Sequence, residues 1–449
     1  MRFINRLAFG LLVFCCGATA RASNCPPPPD GLKPAEGLCV QVFAHGVGAA
    51  RHLAIAADGT VYVMTDGPAR SGAPPFPALQ GKGPIVALRD TDGDGLADAG
   101  FRFGKDGGTG LALAGTALYA GEDRQVRRYL LDPASGRPLG EPSVVVAGFP
   151  SQRQHAAKSI ALDAKGGLYV NVGAPSNACQ RVDRQAGSPG QDPCPERDRQ
   201  AGIWRYAADR TGQRHPNDGQ LEARGIRNAV ALAWRSTEER LYAVQHGRDQ
   251  LSALWPDLYD SRANAELPAE EVLRIRPGSD FGWPYCYFDA SLGRRVLAPE
   301  YGGDGQREGR CDAFETPVAH FPAHWAPNAL VFDDASRLPP PYQGGALIAM
   351  HGSWNRAPLP QAGYSVEFLP FSADGPSGAA RTLVSGFAGD KEIYQPGVAR
   401  YRPSGLAIGP DGSIYVSDSQ QGRIWRLVAA DALPNAMSPS TTPRGAEGS

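Results

Sequence analysis

Five short polar stretches carry side chains able to take a proton or hold an anion, and each stands beside an apolar run. Ser151-Gln152-Arg153-Gln154-His155-Ala156-Ala157-Lys158 holds a histidine, the side chain that titrates nearest neutral pH and a frequent general base. Gly225-Ile226-Arg227-Asn228 sets a guanidinium fork beside an amide, a pair suited to carboxylate and carbonyl oxygens. Gln245-His246-Gly247-Arg248-Asp249-Gln250 and His351-Gly352-Ser353-Trp354-Asn355-Arg356 each follow an apolar run, and Arg400 and Arg402 precede one. Any one of these alone reads as a solvated loop. Their recurrence at equivalent places describes an anion-binding, proton-accepting pocket.

A sixth stretch is acidic. In Asp90-Thr91-Asp92-Gly93-Asp94-Gly95-Leu96-Ala97-Asp98 the carboxylates alternate and Gly95 stands at a sharp turn, as in the front of a calcium loop. The Glu expected at the twelfth position is replaced by Phe101, so an acidic hairpin and a structural Ca²⁺ site both stay open.

The elements that must position these groups repeat. Gly405 to Leu427 reads as strand, Pro410-Asp411-Gly412 turn, strand, Gln421-Gly422 turn and strand. Similar sentences begin at His52, Gly110, Ser159, Val230 and Ala329, six in all. A long-period repeat made only of strands and turns predicts an all-β chain, a six-bladed β-propeller with four-stranded antiparallel blades. In such a ring the loops that precede each blade gather at the mouth of the central channel, where the polar stretches would converge.

Composition supports one large ring. The 55 Gly and 40 Pro supply turns, and 42% hydrophobic residues exclude a disordered chain. A net charge of −1 leaves no footprint for nucleic acid or an anionic membrane. Residues 1–22 read as a secretory signal, with Arg2 and Arg6 before an apolar run and small residues after it. Residues 23–39 form an N-terminal segment, 40–430 the ring, and 431–449 a disordered tail. Export to the periplasm or beyond fits the six cysteines left after the signal, which fall into neighbouring pairs: Cys25 with Cys39, Cys179 with Cys194, Cys286 with Cys311.

On GIRNAVALAW (225–234), QHGRDQL (245–251), PAEEVLRI and DFGWPYC (268–286), HGSWNRAP (351–358) and RYRPSGLAIGPDG (400–412), the chain resembles the soluble sugar dehydrogenases dependent on pyrroloquinoline quinone (PQQ), in particular the sorbosone and aldose sugar dehydrogenase branch. The resemblance implies PQQ over the channel mouth with Ca²⁺, and hydride transfer from an aldose or a sorbosone-like aldehyde. It implies His155 as general base, Arg227 beside the reacting carbonyl, and Asn228, Arg356, Arg400 and Arg402 on the cofactor. Gly247 and Arg248 would give backbone carbonyls to the ion. Electrons would leave through a quinone or a small cytochrome, and some members are homodimers. Gln154 stands where the glucose-oxidising branch has an acidic residue, and Asp106 to Thr109 lacks the amide that touches sugar there, so the sugar subsite is rebuilt. Two other classes remain: a gluconolactonase-like hydrolase with a channel metal, and a propeller that only binds a ligand.

Overall fold

The computed structural model describes residues 25–69, 76, 79–334 and 338–432. The signal expected over 1–22 and the tail beyond 432 lie outside the described residues. Six sheets, antiparallel apart from the short strands 79–81, 213–214 and 279–280 that add in parallel, follow one another along the chain and form the blades of a β-propeller. Their first strands are Ala50–Ile55, Gly108–Ala114, Ile160–Leu162, Ala231–Arg235, Pro327–Phe332 and Pro403–Ile408. In the sixth blade the fourth strand comes from the other end of the chain: Leu38–Ala44 pairs with Ile424–Ala429, Val40 opposite Leu427. Lys33–Pro34 is already paired with Ser385 and Val384 of the fifth blade. The ring is therefore closed by backbone hydrogen bonds between distant segments, and no inter-blade edge is left at the seam.

The core lies between blades. Ala54, Tyr62, Met64 and Ile85 of the first blade pack on Leu111, Leu118, Ala120 and Tyr129 of the second. Strands sandwiched this way are covered on both faces, which is why Gly345–Met350 and Ile414–Asp418 are buried at every position.

The turn acid of the repeat has a constant job. Asp58, Asp163, Glu238 and Asp411 sit between first and second strands and pair with Arg89, Arg205, Arg274 and Arg426 of the third strands. These ion pairs knit one end of the blades and leave the other end to the polar loops. The acidic turn 90–98 joins the third and fourth strands of the first blade, so it lies at the knitted end.

The three disulfides are the neighbouring pairs, Cys25–Cys39, Cys179–Cys194 and Cys286–Cys311. No helix among the described residues is long and apolar enough to cross a membrane.

Candidate active site

Because adjacent strands run antiparallel, the starts of the first strands and the ends of the second share one face. There the third, fourth and fifth blades enclose a cavity of about 440 Å³ lined by His155, Arg227, His246, Asp249, Glu270 and His324, with Gln154, Arg184, Gly247, Gln250, Ala326 and the half-exposed Trp354. The 570 Å³ groove at the other end is lined by the turn pair Asp58 and Arg89 and by Asp411 and Arg426, and gathers no such cluster.

His155 is the candidate base. Its Nδ1 stands 2.6 Å from the Ala174 carbonyl oxygen. A carbonyl only accepts, so Nδ1 carries the proton and Nε2 is the basic atom. Burial, and then the charge of Arg227, hold the imidazole pKa well below its ordinary value, which keeps the ring neutral at pH 7. Gly173 makes this placement sterically feasible, since a Cβ there would lie 2.6 Å from the His155 Cβ and 2.8 Å from Asn228 Oδ1.

Arg227 and Asp249 form a buried ion pair at 2.7 Å. Arg227 also donates to the Gly247 carbonyl at 2.8 Å and to Asn177 Oδ1 at 3.1 Å, while its Nε is buried without a protein partner. Burial alone would raise the Asp249 carboxyl; Arg227, then His324 and Arg184, outweigh it and leave the pKa lowered. Glu270 behaves in the opposite way. Its oxygens accept from Gly247 N and Ala326 N, yet burial pushes its pKa up to about 8.

The backbone marks the same place. Of ten non-glycine residues with positive φ among those described, His155, Arg184, Gln250, His324 and Ala326 line this cavity. Such conformations persist only where surrounding structure holds them, and they concentrate at functional sites.

The other expected residues are placed as follows. Asn228 is buried between blades, its Oδ1 accepting from Asn171 Nδ2 at 3.1 Å. Arg248 turns away from the cavity into a buried pair with Glu300. Arg356 donates to the carbonyls of Pro360, Ala265 and Ala323, which ties a loop down. Arg400 reaches Asp30 of the N-terminal segment. Arg402 donates to the His351 and Gly352 carbonyls and so links the sixth blade to the fifth. None of these last four lines the cavity. Loop carbonyls can occupy the donors of a guanidinium just as ligand oxygens can, and spacing does not distinguish the two. In the acidic turn, oxygens of Asp90, Asp92 and Asp98 lie within 4.8 Å of one another, without Asp94. Asp90 accepts from Gly93 N and Gly95 N, Asp92 from Asp94 N, Asp94 from Leu96 N, and Asp98 from Thr91, so all four carboxylates also shape the hairpin.

Glu270, His324 and Arg184 escaped the sequence reading. Glu270 stood in the quoted PAEEVLRI motif without a role, and His324 precedes its blade as His155 precedes the third. Arg184 had no signal beyond its place between Cys179 and Cys194. That bridge closes a separation of 15 residues, so replacing both cysteines by serine is expected to cost about 3 kcal/mol. Thermal unfolding of the double variant without reductant checks this, and an unchanged transition would contradict it.

Burial of neutral histidines also fixes the acid limit of stability. His52, His215 and His246 donate from Nε2 to the carbonyls of Asn328, Arg199 and Pro327. Burial lowers each pKa from 6.5 to about 4. The unfolded chain then binds more protons between these values, so stability is complete above pH 6.5 and is lost as pH falls toward 4. Each histidine contributes on the order of 3 kcal/mol to that loss. Unfolding temperatures measured from pH 7 to pH 4.5 are expected to fall steadily, whereas a flat profile would contradict neutral burial.

Against known proteins, a PQQ-dependent pyranose dehydrogenase of Coprinopsis cinerea is 28% identical over 236 residues, covering 46% of this chain and 31% of that protein. The chain spans 31% to 48% of the length of the curated relatives it matches. The holo PQQ domain of the C. cinerea pyranose dehydrogenase superposes with a TM-score of 0.69 at 20% identity, over 90% of this chain and 98% of that one. A calcium structure of a Trichoderma reesei carbohydrate-active enzyme of family AA12 does so at 0.70 and 19% identity, over 89% and 97%. These structural likenesses establish the fold. With the propeller and its one-sided cavity established, and with the family match running over residues 32–430, the chain belongs to the TrAA12-like family.

Proposed function

We propose that this chain is a PQQ-dependent oxidoreductase of aldose sugars or related aldehydes. The observation that carries the reading is the placing of a neutral histidine, with its basic Nε2 free of the Ala174 contact, beside the buried and partly unpartnered Arg227 guanidinium in one cavity. The family and the PQQ-dependent relatives support it.

The residues fit a polycarboxylate quinone. Arg227 Nε is an orphaned buried donor, which an anionic ligand would satisfy. Gly247, Asp249 and Glu270 line the cavity and offer oxygen donors of the kind Ca²⁺ takes, with the Gly247 carbonyl as the candidate backbone ligand. When bound, the quinone supplies the two-electron acceptor for the substrate C–H hydrogen. His155 Nε2 would take the proton of the hydroxyl borne by the carbon being oxidised, and the Ala174 carbonyl holds the ring in the tautomer that allows it. Arg227, fixed by Asp249, Asn177 and Gly247, would present positive charge beside the reacting carbonyl, where oxyanion charge develops. Asp249 keeps that guanidinium in place while its Nε faces no protein acceptor.

Electron release to a quinone or small cytochrome, and export of the chain, follow as part of the same reading; the three disulfides suit an oxidising compartment. The hydrolase reading is not favoured. The family and the PQQ-dependent relatives support a quinone oxidoreductase instead.

Reconstitution tests the proposal. Purified protein with PQQ and Ca²⁺ is assayed for dye reduction over a panel of aldoses, ketoses and sugar aldehydes. Sugar-dependent reduction that requires PQQ is the expected outcome, and PQQ-independent lactone hydrolysis would replace the reading.

A further inference from the structure

The cavity holds a second arginine that none of the expected roles accounts for. Arg184 comes from the long connection between Val172 and Gly202 in the third blade, folded on itself by Cys179–Cys194. Inside that loop Arg184 N donates to Gln180 Oε1 at 2.9 Å, and Gln180 Nε2 donates to the Ser188 carbonyl at 3.1 Å. The residue is thereby held at φ 55°, a left-handed conformation that a bulky side chain seldom adopts.

Its guanidinium crosses to three partners. Nη2 donates to Gln154 Oε1 at 2.8 Å, Nη1 to Gln250 Oε1 at 2.6 Å, and Nη2 more weakly to Asp249 Oδ2 at 3.3 Å. Two of the three acceptors are neutral amides. The third already belongs to Arg227 at 2.7 Å. Asp183 is the other carboxylate nearby, 3.9 Å from Arg184, and its oxygens receive Asn177 N and the Gln154 amide. Two guanidiniums thus share one cavity carboxylate. Positive charge at this place is held by amide oxygens, which a ligand carboxylate displaces with a gain, because an ionised acceptor forms the stronger bond to Arg.

We infer that Arg184 is a carboxylate-binding residue of the cavity, carried over it by the disulfide-closed loop, and that the carboxylate is one of the quinone cofactor's. The inference rests on the cofactor reading above and adds to it a residue and a loop. A carboxylated sugar, such as a uronic acid, has the same chemistry, and the test separates the two sources.

Apoprotein with Ca²⁺ is titrated with PQQ, following tryptophan fluorescence, for wild type, Arg184→Ala and Arg184→Lys. Arg184→Ala is expected to bind PQQ roughly 10- to 100-fold more weakly, with Lys intermediate and with a shallower salt dependence in Ala. The apo unfolding temperature serves as a control for folding and is expected to fall only modestly, since Arg227 still pairs with Asp249. Unchanged PQQ affinity in Arg184→Ala overturns the inference. Unchanged affinity together with a loss of kcat/KM confined to uronic acids moves the carboxylate to the substrate and overturns the cofactor assignment. If wild type itself fails to bind PQQ, the cofactor reading falls first and this inference with it.

Discussion

His155→Ala is expected to lower kcat/KM for sugar-dependent dye reduction by roughly 10²- to 10⁴-fold, the range a positioned general base supplies. PQQ affinity should stay close to wild type, because the imidazole is assigned to the substrate proton and not to the cofactor's carboxylates. The Ala174 carbonyl fixes the proton on Nδ1, and burial with the nearby Arg227 keeps Nε2 unprotonated at neutral pH. A base with a lowered pKa also sets the pH profile. In wild type, kcat/KM should remain level as pH falls through 6.5 and turn down only below it, and in the variant that acid limb should disappear. Steady-state rates from pH 5 to 8 for both proteins check this. A variant with wild-type turnover would remove His155 from the reaction.

Arg227→Leu is expected to destabilise the protein by about 3 to 5 kcal/mol, since it leaves the buried Asp249 carboxylate without its closest partner. For a chain of this size that is a fall of roughly 5 °C in unfolding temperature. Arg184, 3.3 Å from the same carboxylate, offsets part of the loss. Asp249→Leu added to Arg227→Leu should restore much of the stability, because the buried carboxylate goes with its closest partner and only the partly exposed Arg184, held by Gln154 and Gln250, loses an ion pair. It should not restore PQQ binding or turnover, since the guanidinium assigned to the developing oxyanion is still missing. Calorimetry on the single and double variants separates the two effects. Equal stability of wild type and Arg227→Leu would contradict the ion-pair assignment.

The ring was legible because its information is local. Each blade repeats a turn with an acidic residue between two apolar runs, and the acid has the same arginine-binding task in four blades. The closing strand was less legible: Leu38–Ala44 meets its partner nearly a whole chain away, so no neighbouring pattern announces the pairing. His155 and Arg227 could be singled out since both immediately precede a first strand, where blade loops converge. Arg184 could not. Its partners Gln154 and Gln250 lie 30 and 66 residues away, and only folding brings them together. Arg356, Arg400 and Arg402 show the converse limit, for their charge was evident in the sequence while their acceptors, mostly backbone carbonyls, were not.

In the proposed reaction one cavity both holds the quinone and takes the substrate proton. Its most direct test is an anaerobic single-turnover titration: wild-type apoprotein with Ca²⁺ is loaded with PQQ, unbound PQQ is removed, and a sugar that is active in the panel is added while the quinone absorbance is followed. About one PQQ retained per chain is expected, with its reduction on adding sugar much slower in His155→Ala. PQQ lost on washing, or retained but reduced equally fast in both proteins, would contradict it.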